Sequence, residues 1–286
     1  MKKIINYIKG IFLFPYYAYI NYKSLKKLLS KESEGFQREE LVNKILAMGG
    51  TVNSKYVELS GLKIKNCFEN LPLIVVENLY FQKYNFFDPD NSYICLDIGA
   101  NVGISSLYLA SKSNVRKVYA FEPLGPTFEF FKENLSLNAG LRDKINPYNF
   151  GLGDRKQHMQ VKFNLDQAMS VSSKSTFDGC FSEYTLENIM IEDARTALVP
   201  IIESHFGKER IFLKVDCEGA EYDIIPHLAG CGVLSKIDVV VIEFHNDKPD
   251  ALLHILRENA FFCFCEWERH GDWEIGFIKG VRIQDN

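Results

Sequence analysis

An acid, two glycines and an asparagine stand at fixed intervals in Leu96-Asp97-Ile98-Gly99-Ala100-Asn101-Val102-Gly103, directly after the apolar run Tyr93-Ile94-Cys95. Gly99 and Gly103 would let the chain turn tightly and let a ligand approach the backbone, and the N–H groups opening the next helix are suited to an anion. Nineteen residues past Gly103, the following apolar run closes on Ala120-Phe121-Glu122-Pro123. A carboxylate there is placed to accept hydrogen bonds from two ribose hydroxyls. The spacing is DxGxNxG and lacks the GxGxxG of a dinucleotide binder, whose second glycine makes room for a pyrophosphate. The expected ligand is therefore a nucleoside without pyrophosphate. S-adenosylmethionine fits, with its amino-acid end at the loop and its ribose at Glu122.

A second group of reactive side chains lies in Lys214-Val215-Asp216-Cys217-Glu218-Gly219-Ala220-Glu221. Alternation along a strand puts Lys214 and Asp216 on one side, and Gly219 permits a sharp exit into a helix. Asp216 falls at the carboxyl end of a parallel strand, where open α/β sheets place their ligands. An ion pair between Lys214 and a carboxylate that only orders the sheet is the plainer alternative. Glu243-Phe244-His245 ends the next strand, with Glu243 and His245 on a shared face.

Four ordered blocks, LDIGANVG, VYAFEPLGPTFEFFKENLSLN, FLKVDCEGAEYDII and VVVIEFH, resemble the signature blocks of the FkbM family of S-adenosylmethionine-dependent methyltransferases. The match runs from about Tyr93 to His245, with a weaker tail to the C-terminus. The resemblance implies an α/β fold, the class I methyltransferase Rossmann-like seven-stranded sheet, mostly parallel and completed by a C-terminal antiparallel hairpin. It also implies transfer to a hydroxyl oxygen, often of a sugar or a polyketide; a sugar or a glycolipid or polysaccharide precursor is the expected acceptor here. By the same resemblance Asp97, Gly99, Asn101 and Gly103 serve the methionine end of the cofactor and Glu122 its ribose. Asp154, in Gly151-Leu152-Gly153-Asp154, stands where such enzymes supply adenine contacts, and it serves equally well as a turn residue.

Methyl transfer to oxygen is an in-line displacement, so holding donor and acceptor collinear supplies much of the acceleration. An alcohol is a poor nucleophile until its proton leaves, so a positioned base is expected. His245, Asp216 and Glu218 are the candidates, with His245 preferred as base and Asp216 orienting either it or the acceptor. Two rivals remain: a nucleotide-sugar or dinucleotide enzyme on a similar sheet, and a catalytically silent module that recruits partners.

The elements that must position these residues follow a strand-helix rhythm from YICLDIG to DVVVIEF, which predicts a parallel sheet with crossover helices. Residues 261–268 and 273–279 flank His270-Gly271-Asp272 and predict the terminal hairpin. Ahead of the sheet, a helix is expected over Arg38 to Met48 and a small hairpin about Gly61. The turn cluster Asp88-Pro89-Asp90-Asn91 marks a boundary, giving segments of 1–31, 32–90 and 91–286.

In 286 residues with 33 basic and 37 acidic side chains, the net charge is −4, which disfavours a general nucleic-acid binder. Residues 1–31 hold seven lysines and no acid, leaving −11 on the remainder. Their longest uncharged stretch is the 13 residues Gly10 to Tyr22, interrupted by Pro15 and short of the roughly 18 apolar residues of a spanning helix. Lys2, Asn6 and Lys9 oppose Ile5, Ile8 and Phe12 across a helix, and Tyr16, Tyr17, Tyr19 and Tyr22 follow. This suits either an interfacial helix at an anionic membrane surface or an ordinary helix packed on its own domain or on a partner. The seven scattered cysteines include no CxxC pair and are read as reduced thiols of a cytoplasmic protein. The histidines show no ligand spacing, so no metal site follows from sequence, although a divalent ion shared by Asp216, Glu218 and Glu243 is left open.

Overall fold

The computed structural model describes residues 34–67, 71–80, 83–85, 88–163, 184–245, 248–270 and 273–283. The interfacial-helix expectation for residues 1–31 lies outside them. Helix α1 (Glu34–Ala47) leads into an antiparallel sheet of β1 (Thr51–Val52), β2 (Tyr56–Leu59) and β3 (Leu62–Lys65). Ser60 and Gly61 connect β2 to β3 with φ of 55° and 78°, the two left-handed residues that a two-residue hairpin turn needs to match strand twist. A short helix, α2 (Leu71–Val75), runs on into one π turn over Val76–Tyr80. At the predicted boundary the Asp88 side chain accepts the Asp90 N–H at 3.0 Å and the Asn91 side-chain amide at 2.7 Å, a turn held by its own aspartate.

Alternating elements follow: β4 (Tyr93–Ile98), α3 (Ile104–Ser111), β5 (Val115–Phe121), α4 (Gly125–Leu137), α5 (Ala139–Arg142) and β6 (Ile145–Tyr148). Strands β7 (Gly151–Gly153), β8 (Gln157–Phe163) and β9 (Thr185–Asp193) form a separate small sheet in the order β7-β9-β8. The main sheet resumes through α6 (Ala194–His205), β10 (Arg210–Val215), α7 (Glu221–Gly230), β11 (Val239–His245), α8 (Asp250–Glu258), β12 (Phe261–His270) and β13 (Trp273–Arg282).

The seven strands lie in the order β12-β13-β11-β10-β4-β5-β6. All neighbours from β11 to β6 are parallel, while β13 runs antiparallel to both β11 and β12. The predicted sheet and its terminal hairpin are therefore present. Every residue of β4 and β11 is buried, as expected of strands covered on both faces.

The two faces separate by residue parity. Tyr93, Cys95, Phe212, Val239 and Val241 pack with Ile45, Val57, Ile64, Leu71 and Val75 of the N-terminal elements and with Leu107 and Phe131 of α3 and α4. Ile94, Leu96, Leu213, Val240 and Ile242 pack with Leu198, Ile224, Leu228 and Leu252 of α6, α7 and α8. Each such side chain withdrawn from water contributes about 1.5–3 kcal/mol, so residues 34–80 are held by the same hydrophobic burial as the sheet.

Polar bonds add register. The side chains of Asn134 on α4 and of Asn138 just past its end accept the backbone N–H groups of Lys65 (2.7 Å) and Lys63 (3.0 Å), and Asn138 donates back to the Lys63 carbonyl at 2.6 Å. Asn134 also donates to the Val102 carbonyl at 2.8 Å, tying β3 to the loop after β4.

Candidate active site

Parity gives one face of the sheet a change of character along its length. Tyr93 and Cys95 lead to Asp97, Phe212 to Lys214 and Asp216, and Val239 and Val241 to Glu243 and His245. Apolar side chains occupy the amino ends of three adjacent strands, and ionisable ones gather at the carboxyl ends.

At the loop after β4, Gly99 has φ 78° and Asn101 has φ 51°. A Cβ on Gly99 would lie 1.8 Å from the Asp216 carbonyl oxygen, so only glycine lets this loop pass the end of β10. Gly103 has φ 83°, and a Cβ there would strike the Phe131 ring at 2.1 Å; it lets α4 close on the start of α3. Glu122 is 5% exposed. Its Oε2 accepts the Asn101 N–H and its Oε1 the Leu124 N–H, both at 2.9 Å. Burial pushes its carboxyl up to about 7, against the pull of those two donors and of Lys214. Each oxygen keeps a second lone pair, which is the acceptor chemistry that ribose hydroxyls require.

Asp97 is buried in mid-sheet, directly across from Lys214. Its Oδ2 accepts the Ser105 and Ser106 hydroxyls at 2.8 and 2.6 Å, and its Oδ1 pairs with the Lys214 Nζ at 2.9 Å. That ammonium also donates to the Gly99 carbonyl at 2.6 Å and stands 3.6 Å from Asp216 Oδ2. Burial alone would lower the pKa of Lys214, but Asp97 and Asp216 outweigh it and raise it above the ordinary value. The ion pair weighed from sequence thus exists, and it does more than order the sheet: Lys214 links the β4 loop to the end of β10.

Around Asp216 the remaining groups converge. Tyr84 donates its hydroxyl to Asp216 Oδ2 at 2.7 Å, and the Lys83 Nζ pairs with Glu243 Oε2 at 2.6 Å while lying over the Phe277 ring. Burial alone would raise Asp216; Lys214, Lys83 and His245 hold it well below the usual carboxylate range. Glu221, wholly buried at the start of α7, accepts the Gly219 N–H with Oε2 and the His245 backbone N–H with Oε1, at 2.8 and 2.7 Å. The same Oε1 stands 3.3 Å from the His245 Nδ1, and Glu218 Oε2 stands 3.8 Å from Nε2. Burial would lower His245, yet Glu221, Glu218, Glu243 and Asp216 together raise it to about 10. Glu218, whose backbone holds φ 54°, is pushed up to about 8 by burial and the neighbouring carboxylates.

The structure therefore brings Asp216, Glu218 and His245 together, and the Gly99 contact sets Asp216 against the loop after β4. Asp154 is apart from both groups: half-exposed after β7, it meets Arg155 at 3.1 Å. Asn149, between β6 and β7, does reach the first group, donating to the Glu122 carbonyl at 2.9 Å. Lys83 and Tyr84 were not singled out from sequence, because they lie in the mixed stretch before the sheet, where no motif marks them.

The model of the FkbM methyltransferase domain matches residues 97–263, more than half of the chain. The chain belongs to the FkbM methyltransferase family. Its domain is that of the S-adenosylmethionine-dependent methyltransferases, and Gly99, Asn101 and Glu122 are the residues that could hold that cofactor. Among curated proteins, this FkbM chain is 29% identical over 158 residues to the methyltransferase sdnD of Sordaria araneosa, covering 48% of this chain and 60% of that one. It is 27% identical over 231 residues to the AMB antimetabolite synthetase AmbE of Pseudomonas aeruginosa, covering 66% of this chain and 10% of AmbE. It thus spans a tenth of AmbE and three fifths of sdnD. An FkbM methyltransferase structure from Methylobacillus flagellatus aligns with a TM-score of 0.44 at 15% identity, covering 71% of this chain and 46% of that one.

Proposed function

We propose that this chain transfers a methyl group from S-adenosylmethionine to a hydroxyl oxygen of a sugar, within a glycolipid or polysaccharide precursor. The observation that carries the reading is the contact between Gly99 and the Asp216 carbonyl, which sets a donor held at the loop beside Asp216, Glu218 and His245. When bound, the sulfonium supplies an electrophilic methyl group. The chain's own residues then have two tasks: to hold the acceptor oxygen in line with that methyl, and to receive its proton. His245, held cationic to about pH 10 by its carboxylate neighbours while no cation is bound, is no base at neutral pH, contrary to the preference taken from sequence, and instead donates a hydrogen bond that orients the acceptor. Asp216, kept ionised by Lys214 and Lys83, is the group ready to accept a hydrogen bond from the hydroxyl. Lys83 and Tyr84 form the far wall of that acceptor position.

The test compares mass spectra of cell-surface glycans and glycolipids from cells with and without this chain. Loss of one methyl group from a defined sugar fragment is expected; unchanged glycan and glycolipid methylation refutes the acceptor class. No helix among the described residues is long and apolar enough to cross a membrane, and the lysines and tyrosines of residues 1–31 support contact with an anionic surface. The full chain is then expected to float with anionic vesicles at low salt, and a version lacking residues 1–31 to stay in solution.

A further inference from the structure

The side chains of Asp216, Glu218 and His245 each offer a ligand atom, and these atoms all lie within 4.8 Å of one another. Two ligands at about 2.1 Å from one cation stand about 3.0 Å apart when adjacent and about 4.2 Å apart when opposite. The 3.8 Å between His245 Nε2 and Glu218 Oε2 falls inside that span and is too long for a hydrogen bond. The 4.8 Å limit on the third atom exceeds that span by about 0.6 Å.

A second observation concerns the ring itself. His245 is 7% exposed, and its Nδ1 faces the wholly buried Glu221 carboxylate at 3.3 Å. A carboxylate behind Nδ1 holds the ring so that Nε2 points forward and, once a cation displaces its proton, offers its lone pair, the outer-sphere arrangement found behind metal-ligating histidines. Glu221 is itself fixed by the Gly219 and His245 N–H groups. Nothing in a sheet-ordering role asks for that support. Glu218 holds a left-handed backbone at φ 54°, a conformation disfavoured for a side chain of its size, and it brings the carboxylate towards Nε2. Asp216 is likewise fixed, by Tyr84 and Lys214.

Charge points the same way. Asp97, Asp216, Glu218, Glu221 and Glu243 gather against the ammonium groups of Lys83 and Lys214 and the His245 ring, five acidic groups to three basic ones, and Glu218 is pushed up to about 8 by that crowding, so a bound cation would take the place of a proton there. Glu243, which the sequence offered as a third carboxylate for an ion, is instead paired with Lys83.

We propose that Asp216, Glu218 and His245 form a divalent-cation site on one side of the acceptor position. Two carboxylates and one imidazole suit an ion of the Mn2+ class, which accepts oxygen and nitrogen donors together and leaves positions for water and one further oxygen. The acceptor hydroxyl fills one of those positions. That role, though not the geometry of the site, rests on the methyl-transfer reading.

The test uses the full chain, freed of metal with a chelator and titrated with MnCl2 alone near pH 7.5. Free Mn2+ is followed by its six-line electron paramagnetic resonance signal, and cofactor binding is followed in parallel by calorimetry. One Mn2+ bound per chain is expected, with spin-echo modulation from an imidazole nitrogen that His245→Gln abolishes. Glu218→Gln changes a partly exposed loop side chain and should weaken Mn2+ binding at least tenfold with cofactor affinity retained. Glu221→Gln should weaken it by 10- to 100-fold from behind the ring. Cofactor binding without Mn2+ binding, or Mn2+ binding that none of these variants alters, overturns the site and leaves the methyl-transfer reading standing. Failure of the unaltered chain to bind the cofactor strikes that reading instead.

Discussion

Lowering the pH from 8 to 6 should weaken S-adenosylmethionine binding about tenfold, and Glu122 is the reason. Its carboxyl sits near pH 7 in the free protein because burial raises it. Ribose hydroxyls donate to the ionised form, so binding selects that form and expels a proton wherever the group was protonated. With a pKa near 7, roughly one molecule in ten is protonated at pH 8 and nine in ten at pH 6. The affinity ratio is therefore about ten, or about 1.4 kcal/mol. The sign is fixed: a raised carboxyl costs affinity as the pH falls through its pKa and costs nothing well above it. Calorimetry at pH 7 in two buffers of different ionisation enthalpy should report about half a proton released per cofactor bound. Glu122→Gln keeps an acceptor for the Asn101 and Leu124 N–H groups in part and cannot titrate, so its affinity should be lower and flat across the range. Equal affinities at pH 6 and pH 8, or the same slope in the glutamine variant, would refute the assignment of the ribose to Glu122.

Lys214→Met should destabilise the fold by about 3–5 kcal/mol in denaturant unfolding, because it strands the buried Asp97 carboxylate; a loss under about 1 kcal/mol would mean that Asp97 finds another partner. Gly99→Ala forces a Cβ against the Asp216 carbonyl, and loss of cofactor binding in calorimetry with a lower melting temperature is expected, whereas native affinity would show that the two loops can part. Tyr84→Phe removes a hydrogen bond to a charged acceptor, worth about 1.5–3 kcal/mol. It should lower thermal stability by that amount and leave cofactor affinity unchanged in calorimetry, and a weakened cofactor would place Tyr84 on the donor side.

The main sheet was legible because its strands are buried on both faces and so appear as short apolar runs bounded by glycine, proline and acid. YICLDI, RIFLKV and VVVIEFH carry that signal unmixed. The small sheet was not. Gln157–Phe163 and Thr185–Asp193 pair with each other while keeping several side chains half-exposed, so their polar residues hide the strand pattern. Helix α6 carries Pro200 in its interior, a residue that argues against a helix when read locally. In the site, spacing alone identified the loop glycines and placed Glu122, Asp216 and His245 at strand ends. It could not tell which acids face a ligand and which face a lysine: Asp97 lies in the loop motif, yet its carboxylate points back to Lys214. That depends on register between β4 and β10, strands more than a hundred residues apart. Glu221 stood only at the end of a motif: Gly219 signals the sharp exit, but not that the turn at Glu218 and Gly219 sets Glu221 behind His245.

Lys83 and Tyr84 precede the part of the chain that the family model matches, yet they reach Glu243 and Asp216 in the site. On the proposed reading, one wall of the acceptor position is thus written ahead of the matched domain, while the donor loop and Asp216, Glu218 and His245 lie within it. Selection can rework the leading segment, and with it the shape and charge presented to an incoming hydroxyl, while the glycine loop and Glu122 stay as they are. Relatives that share the matched domain but differ ahead of it would then use one donor on unrelated acceptors, and exchanging residues 34–90 between two of them is the shortest route to a changed acceptor.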